Sequence, residues 1–371
     1  MSLKQKHNTL RIIIAGGGTG GHIFPAIAVA QAIKALAPDA AILFVGALGK
    51  MEMEKVPQAG FEIKGITIAG FNRSQLLKNI SLPWKLLKSF FQVSAIFKSF
   101  QPNAVFGVGG YSSFPVLKYA QTKNIPTFIH ESNAFAGKAN TWLAKNAIKI
   151  FTGTLGMESF FPAAKIVVTG NPIRKNIINH TYTKQTALQV FNLEATKQTI
   201  LIIGGSLGAS SINKAIQSNL VSFFDKNIQL IWQTGKPNAE VYANSAHNYK
   251  NVFVHSFIDN MSAAYVAADI VISRSGAMAV SEICITGKPA VFVPYPLAAE
   301  DHQTFNAMTL VNNNAAAIVK DKEVGNDLIP SVLQLLGNEQ QMQTMQNNIK
   351  AFAFSNADEI IAKEILKQIN E

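Results

Sequence analysis

The hydrophobic pattern is one of short unbroken apolar runs, each stopped by glycine or polar turn residues and followed by apolar positions at helical spacing. Leu10–Ala15 is the first run; it stops at Gly16–Gly21, and apolar residues recur through Ile27–Leu36, predicting strand, glycine loop, helix. Further buried strands are expected at Ala41–Val45, Ala104–Val108, Pro126–Ile129 and Ile148–Phe151, with helical patterns between most of them. Strands that alternate with helices imply βαβ units and a parallel sheet.

The pattern then restarts. Thr199–Ile203 is again an apolar run, Gly204–Ala209 a glycine loop, and Ser211–Leu220 helix-like. Strands are expected at Ile228–Trp232, Val252–Val254, Ile270–Ser273, Ala290–Val293 and Ala316–Val319. The fold class predicted is α/β, two Rossmann-like doubly wound domains facing a central cleft. The joint falls near Thr169–Arg174, where Gly, Asn and Pro cluster. Residues 355–370 read as a closing helix capped by Ser355 or Asn356. The expected domains are 1–173 with 352–371, and 174–351.

Composition narrows the class. At 371 residues the chain suits two or three domains, and 48% hydrophobic against 15% charged residues excludes a mainly disordered protein. The single cysteine, Cys284, excludes an intrachain disulfide and fits a reducing compartment. No apolar run reaches the ~18 residues of a membrane span, and the N-terminal sequence lacks the features of a signal peptide. The formal charge of +11 suits nucleic acid, an anionic membrane or a phosphorylated substrate.

Three loops have the make-up of anion sites. Gly16-Gly17-Gly18-Thr19-Gly20-Gly21 satisfies G-x-G-x-x-G, in which glycines let backbone N–H groups approach a phosphate at a helix N-terminus; a tight strand–helix turn explains it equally well. The second strand ends without the acidic residue that would hold a dinucleotide ribose, which argues against NAD. Gly204–Ala209 offers Ser206 as a phosphate donor or a helix cap. The third, Ser273–Glu282, offers Arg274 for a diphosphate and Glu282 for ribose hydroxyls, or a capped helix with a surface ion pair.

Asp-x-Asp is absent, so no metal ion is expected. The near match Glu52-x-Glu54 reads as a solvated face. His22 closes the first glycine loop, and Glu131 follows the strand Ile125–Ile129; either suits a general base. Asn133 and the polar run from Asp301 to Asn306 suit a sugar. Residues 72–100 are amphipathic. Most of their apolar positions, among them Leu87 and Phe91, are expected in the core, whereas Arg73, Lys78, Ile80, Leu82, Trp84 and Lys85 suit contact with anionic lipid.

Taken in order, GGGTGGHIFPAIAVA (16–30), GVGGYSSFPVL (107–117), HESNAFAGKANTWLA (130–144), GNPIR (170–174), GGSLGASSIN (204–213), SFIDNM (256–261), SRSGAMAVSEI (273–283) and EDHQTFNA (300–307) resemble the MurG family over essentially the whole chain. The resemblance implies the GT-B fold, with the C-terminal helix returning to the N-terminal domain. It implies inverting, metal-independent transfer of GlcNAc from UDP-GlcNAc to the MurNAc 4-hydroxyl of lipid I, giving lipid II, with no cofactor. Position by position, it assigns Thr19, Gly20 and Gly21 to the donor sugar and phosphates. Asn133, Arg174, Ser206, Ile258, Arg274 and Gln303 become donor ligands, Ile258 through its backbone. Ala277, Met278, Ala279, Val280 and Ser281 form the nucleotide-binding helix start, with Glu282 on the ribose. His22 matches the usual candidate base, and Ser132 departs from a frequent Gln, which implies a local change in acceptor contacts. The implied partners are UDP-GlcNAc, lipid I, the anionic cytoplasmic face of the inner membrane and other cell-wall synthesis proteins, with no nucleic acid. The rivals are another GT-B enzyme, such as a diacylglycerol glycosyltransferase or a UDP-GlcNAc 2-epimerase, and a non-catalytic nucleotide-sugar-binding protein.

Overall fold

The computed structural model describes residues 9–70, 76–205 and 207–370. The chain divides into two compact units, Met1–Ile173 with Asn356–Glu371, and Arg174–Ser355.

The first unit holds a seven-stranded sheet in the order β3-β2-β1-β4-β5-β6-β7. Its strands are β1 (Arg11–Ala15), β2 (Ala41–Ala47), β3 (Glu62–Ile66), β4 (Ala104–Gly107), β5 (Thr127–Glu131), β6 (Lys149–Thr152) and β7 (Ile166–Val168). Every recorded pairing is parallel. A parallel sheet is covered on both faces, so its central strands need apolar residues at every position. β1 shows the consequence. Ile12 and Ile14 pack with Ile23, Val29 and Ile33 of the helix Gly20–Leu36, and with Ile361, Ala362 and Ile365 of the closing helix Ala357–Asn370. Ile13 and Ala15 point the other way, onto Val93, Phe97, Val116 and Leu143. The closing helix thus belongs to the first unit's core.

The second unit repeats the design with six strands in the order β10-β9-β8-β11-β12-β13. These are β8 (Thr199–Ile203), β9 (Gln229–Gln233), β10 (Val252–His255), β11 (Ile270–Ser273), β12 (Ala290–Phe292) and β13 (Ala317–Ile318). Ile200, Ile202, Leu230, Trp232, Ile270 and Ile272 share one buried cluster.

The sequence pattern missed two strands, β3 and β7, both at a sheet edge. In β3, Glu62 and Lys64 face solvent and pair at 2.9 Å, so an edge position replaces the continuous apolar run with alternation.

Candidate functional site

In each sheet the strand order reverses direction at one point, between β1 and β4 and between β8 and β11. Loops leaving the carboxyl ends of those strands diverge there, and ligands of open α/β sheets bind in the crevice this creates.

In the first unit that crevice is bordered by Gly16–Thr19 and Val108–Ser112. A buried carboxylate underlies it. Glu52, 1% exposed, accepts the N–H of Gly18 at 3.0 Å and of Ala47 at 3.0 Å. This corrects the expectation of a solvated Glu52. The Gly18 N–H that a phosphate would use is already held by an anion. Tyr111 lies against Gly18 and Gly70, its phenol pKa raised by burial and then by the Glu52 charge.

His22 stands in the first turn of the helix Gly20–Leu36, half-buried. Its Nδ1 lies 3.2 Å from Gly17 O and 3.3 Å from Thr19 Oγ1. A carbonyl only accepts, so Nδ1 carries the hydrogen and Nε2 the lone pair. His130 is fully buried, and burial pushes its pKa down to about 4, against the bond to Gly170 O; the nearby His22 lowers it further.

Glu131 is buried, and its two oxygens accept from Asn133 N (3.1 Å), Asn133 Nδ2 (3.3 Å), Gly137 N (3.0 Å) and Asn140 Nδ2 (2.9 Å). Four donors occupy the lone pairs that a base would offer. The expectation of Glu131 as base is therefore corrected: it holds the loop carrying Ser132 and Asn133.

In the second unit the loops after β8 and β11 flank the reversal. Ser206 lies outside the described residues. The rest of its loop is locked by close backbone packing, since a Cβ on Gly208 (φ +72°) would collide with Thr234 O, and one on Gly235 (φ +78°) with Gly208 N. Only glycine fits either place. The helix Ala277–Thr286 begins after Gly276, so Ala277, Met278 and Ala279 present N–H groups at its N-terminus. Val280 and Ser281 continue that helix.

Glu282, 8% exposed, accepts from Arg174 Nε (3.1 Å), from Arg174 Nη2 (2.9 and 3.2 Å) and from Tyr265 OH (3.0 Å). Burial raises its pKa against the opposing pull of Arg174, and burial likewise raises Tyr265 well above an ordinary phenol. Arg174 and Glu282, 108 positions apart, are thus brought together. Tyr265 escaped the sequence reading, because MSAAYVA reads as an ordinary core helix.

Arg274 has a different employment from the one expected. Its Nη1 donates to Val293 O (3.0 Å), Pro294 O (3.2 Å) and Asp321 Oδ1 (2.6 Å), and its Nη2 to Ser211 Oγ (3.1 Å). These bonds clamp the loops around the site, chiefly through Nη1. Gln303 Oε1 accepts Tyr295 N–H at 2.9 Å, and the buried Ile258 gives its N–H to Gln233 Oε1 at 3.0 Å.

The helix Leu82–Phe100 differs from its expected packing. Ser89, Val93 and Phe97 are buried, whereas Ile80 (72% exposed), Trp84 (75%), Leu87 (49%) and Phe91 (70%) form an outward stripe at spacings of one helical turn. Leu82 and Lys85 are half-buried. Arg73 and the side chain of Lys78 lie outside the described residues. Among the described residues no helix is long and apolar enough to cross a membrane.

Residues 12–152 match the glycosyltransferase family 28 N-terminal domain, and 199–361 the family 28 C-terminal domain. A Bacteroides fragilis protein named UDP-N-acetylglucosamine–N-acetylmuramyl-(pentapeptide) pyrophosphoryl-undecaprenol N-acetylglucosamine transferase is 47% identical over 97% of this chain and 96% of its own length. A Bacteroides thetaiotaomicron protein of the same name is 48% identical over 96% and 97%. The crystal structure of Acinetobacter baumannii MurG superposes with a TM-score of 0.79 at 28% identity, covering 96% of this chain and 99% of that one. The chain belongs to the MurG family. The two doubly wound units are the domain pair of a GT-B glycosyltransferase, and both reversal points carry motifs that the MurG resemblance includes.

Proposed function

We propose that the protein transfers GlcNAc from UDP-GlcNAc to the MurNAc 4-hydroxyl of lipid I, forming lipid II with inversion at the anomeric carbon. The full-length likeness to transferases named for this reaction carries the reading. The geometry suggests how labour divides. The second unit takes the nucleotide: Glu282 meets the ribose hydroxyls by exchanging bonds with Arg174, and Ile258 meets the uracil through its carbonyl, the N–H being engaged by Gln233. The helix start at 277–279 binds the diphosphate, with Ser206 as a further donor, and Gln303 binds the sugar; Asn133, of the first unit, is a further sugar ligand in this reading.

Thr19, Gly20 and Gly21 face the sugar rather than the phosphates, since Glu52 puts negative charge beneath that loop. His22 Nε2 takes the proton of the acceptor hydroxyl as its oxygen bonds the anomeric carbon and the bond to UDP breaks. The departing diphosphate gains charge in that step, where fixed N–H groups stabilise it most. In this reading leaving-group charge is met by N–H donors, without a divalent ion or cofactor. Among the described residues no three His, Cys, Asp or Glu side chains cluster as metal ligands.

The outward stripe Ile80, Trp84, Leu87 and Phe91, with the half-buried Leu82 and Lys85, rests on the anionic cytoplasmic face of the inner membrane, where the lipid-borne acceptor resides; Arg73 and Lys78, close by in sequence, add positive charge. Radiolabel passing from UDP-GlcNAc to a short-chain lipid I analogue, undiminished by EDTA, tests the reading. Transfer to diacylglycerol, epimerisation, or binding without turnover would each reject it.

A further inference from the structure

Gln233 stands at the carboxyl end of β9 and reaches both neighbouring loops. Its Nε2 donates to Gly205 O at 3.3 Å, in the loop after β8; its Oε1 accepts Ile258 N–H at 3.0 Å, in the segment after β10. The side chain is 3% exposed. Around it the backbones of Gly208 and Gly235 interlock. Asn213 closes the same network, donating to Thr234 O at 2.7 Å and accepting Trp232 Nε1–H at 3.0 Å. Three successive strand ends are thereby bonded into one unit.

We propose that Gln233 is a positioning residue for the nucleotide, fixing the spacing between the loop that faces the diphosphate and the segment that faces the base. The inference rests on the placement of the donor in the second unit. The two ends of the amide have separate tasks. The carbonyl end satisfies the buried Ile258 N–H, and the NH₂ end holds Gly205. A hydrocarbon side chain would leave both groups unpaired, and an unmade buried hydrogen bond costs far more than a made one gains. UDP has a fixed span from base to phosphate, so altered spacing weakens the whole nucleotide more than its nucleoside fragment.

Titration calorimetry of the full chain with uridine and with UDP, alongside steady-state kinetics, tests this. Gln233→Leu is expected to weaken UDP and raise KM for UDP-GlcNAc by about tenfold and to lower Tm, with kcat and acceptor KM little changed. Gln233→Glu keeps the acceptor for Ile258 and loses the donor to Gly205, so uridine affinity should stay within about twofold while UDP weakens. Gln233→Leu binding UDP as the unaltered chain does would overturn the proposal. So would a fall in kcat and in uridine and UDP affinity together in the two variants, the mark of a merely structural role. Glu282→Ala separates the layers. If it leaves UDP affinity unchanged, the donor placement fails and takes this inference with it. If it weakens UDP while Gln233→Leu does not, Gln233 alone is wrongly assigned.

Discussion

The two glycine loops arise from the same sequence device, an apolar strand running into glycines and then a helix, yet they are held in opposite ways. The first rests on a buried carboxylate, with Glu52 taking the Gly18 and Ala47 N–H groups. The second is held by neutral contacts: Gly208 against Gly235, and the Gln233 amide on Gly205. A buried anion beneath a loop repels a phosphate, whereas a loop fixed without charge leaves its positive potential to the ligand. On the proposed roles, the supports rather than the glycines separate a hydroxyl-activating loop from a diphosphate loop.

The largest expected effect comes from the first loop's histidine. His22→Ala should lower kcat by about 10²–10⁴-fold while UDP affinity, read by calorimetry, stays unchanged. A loss of UDP affinity instead would move the diphosphate to the first loop and break the comparison.

Next comes the second loop. Gly208→Ala meets both a positive φ and the Thr234 carbonyl, and should cost about 3 kcal/mol of stability together with most UDP binding. Gly49→Ala, at φ +71° with open space around it, is the control and should cost about 1 kcal/mol in the same denaturation assay.

His130 sharpens the contrast through pH. Its pKa is about 4 in the folded protein and 6.5 when unfolded, so between those values the unfolded chain binds the extra proton. Stability is full above pH 6.5 and falls as pH drops towards 4, by at most ~3 kcal/mol. His130→Gln should flatten that limb of a denaturant–pH series. An unchanged limb would show that His130 is not held neutral.

Apart from the Gly49→Ala control, the smallest change is Glu52→Gln, which exchanges one acceptor oxygen for a donor facing Ala47 or Gly18. It should lose about 2 kcal/mol in denaturant melts and leave UDP affinity within about twofold.

Much of this was legible in the chain. Continuous apolar runs such as Ile12–Ile14 announce strands buried on both faces, and the glycine loops mark both reversal points. What escaped has a common cause. β3 alternates because it lies at an edge, and the exposed stripe of the helix Leu82–Phe100 has the same apolar periodicity as a buried one. Glu52, Tyr265, Gln233 and Asp321 act through partners distant in sequence, and no local pattern announces a long-range hydrogen bond. For the same reason Glu131 reads as a candidate base and Arg274 as a diphosphate ligand, although their own neighbours engage them.

The most direct test of the central claim is amide hydrogen exchange on the full chain with and without UDP. Protection confined to 204–209, 256–258 and 274–282, with 16–21 unchanged, is the predicted result. Protection of 16–21 with the second unit's loops unaffected would contradict it.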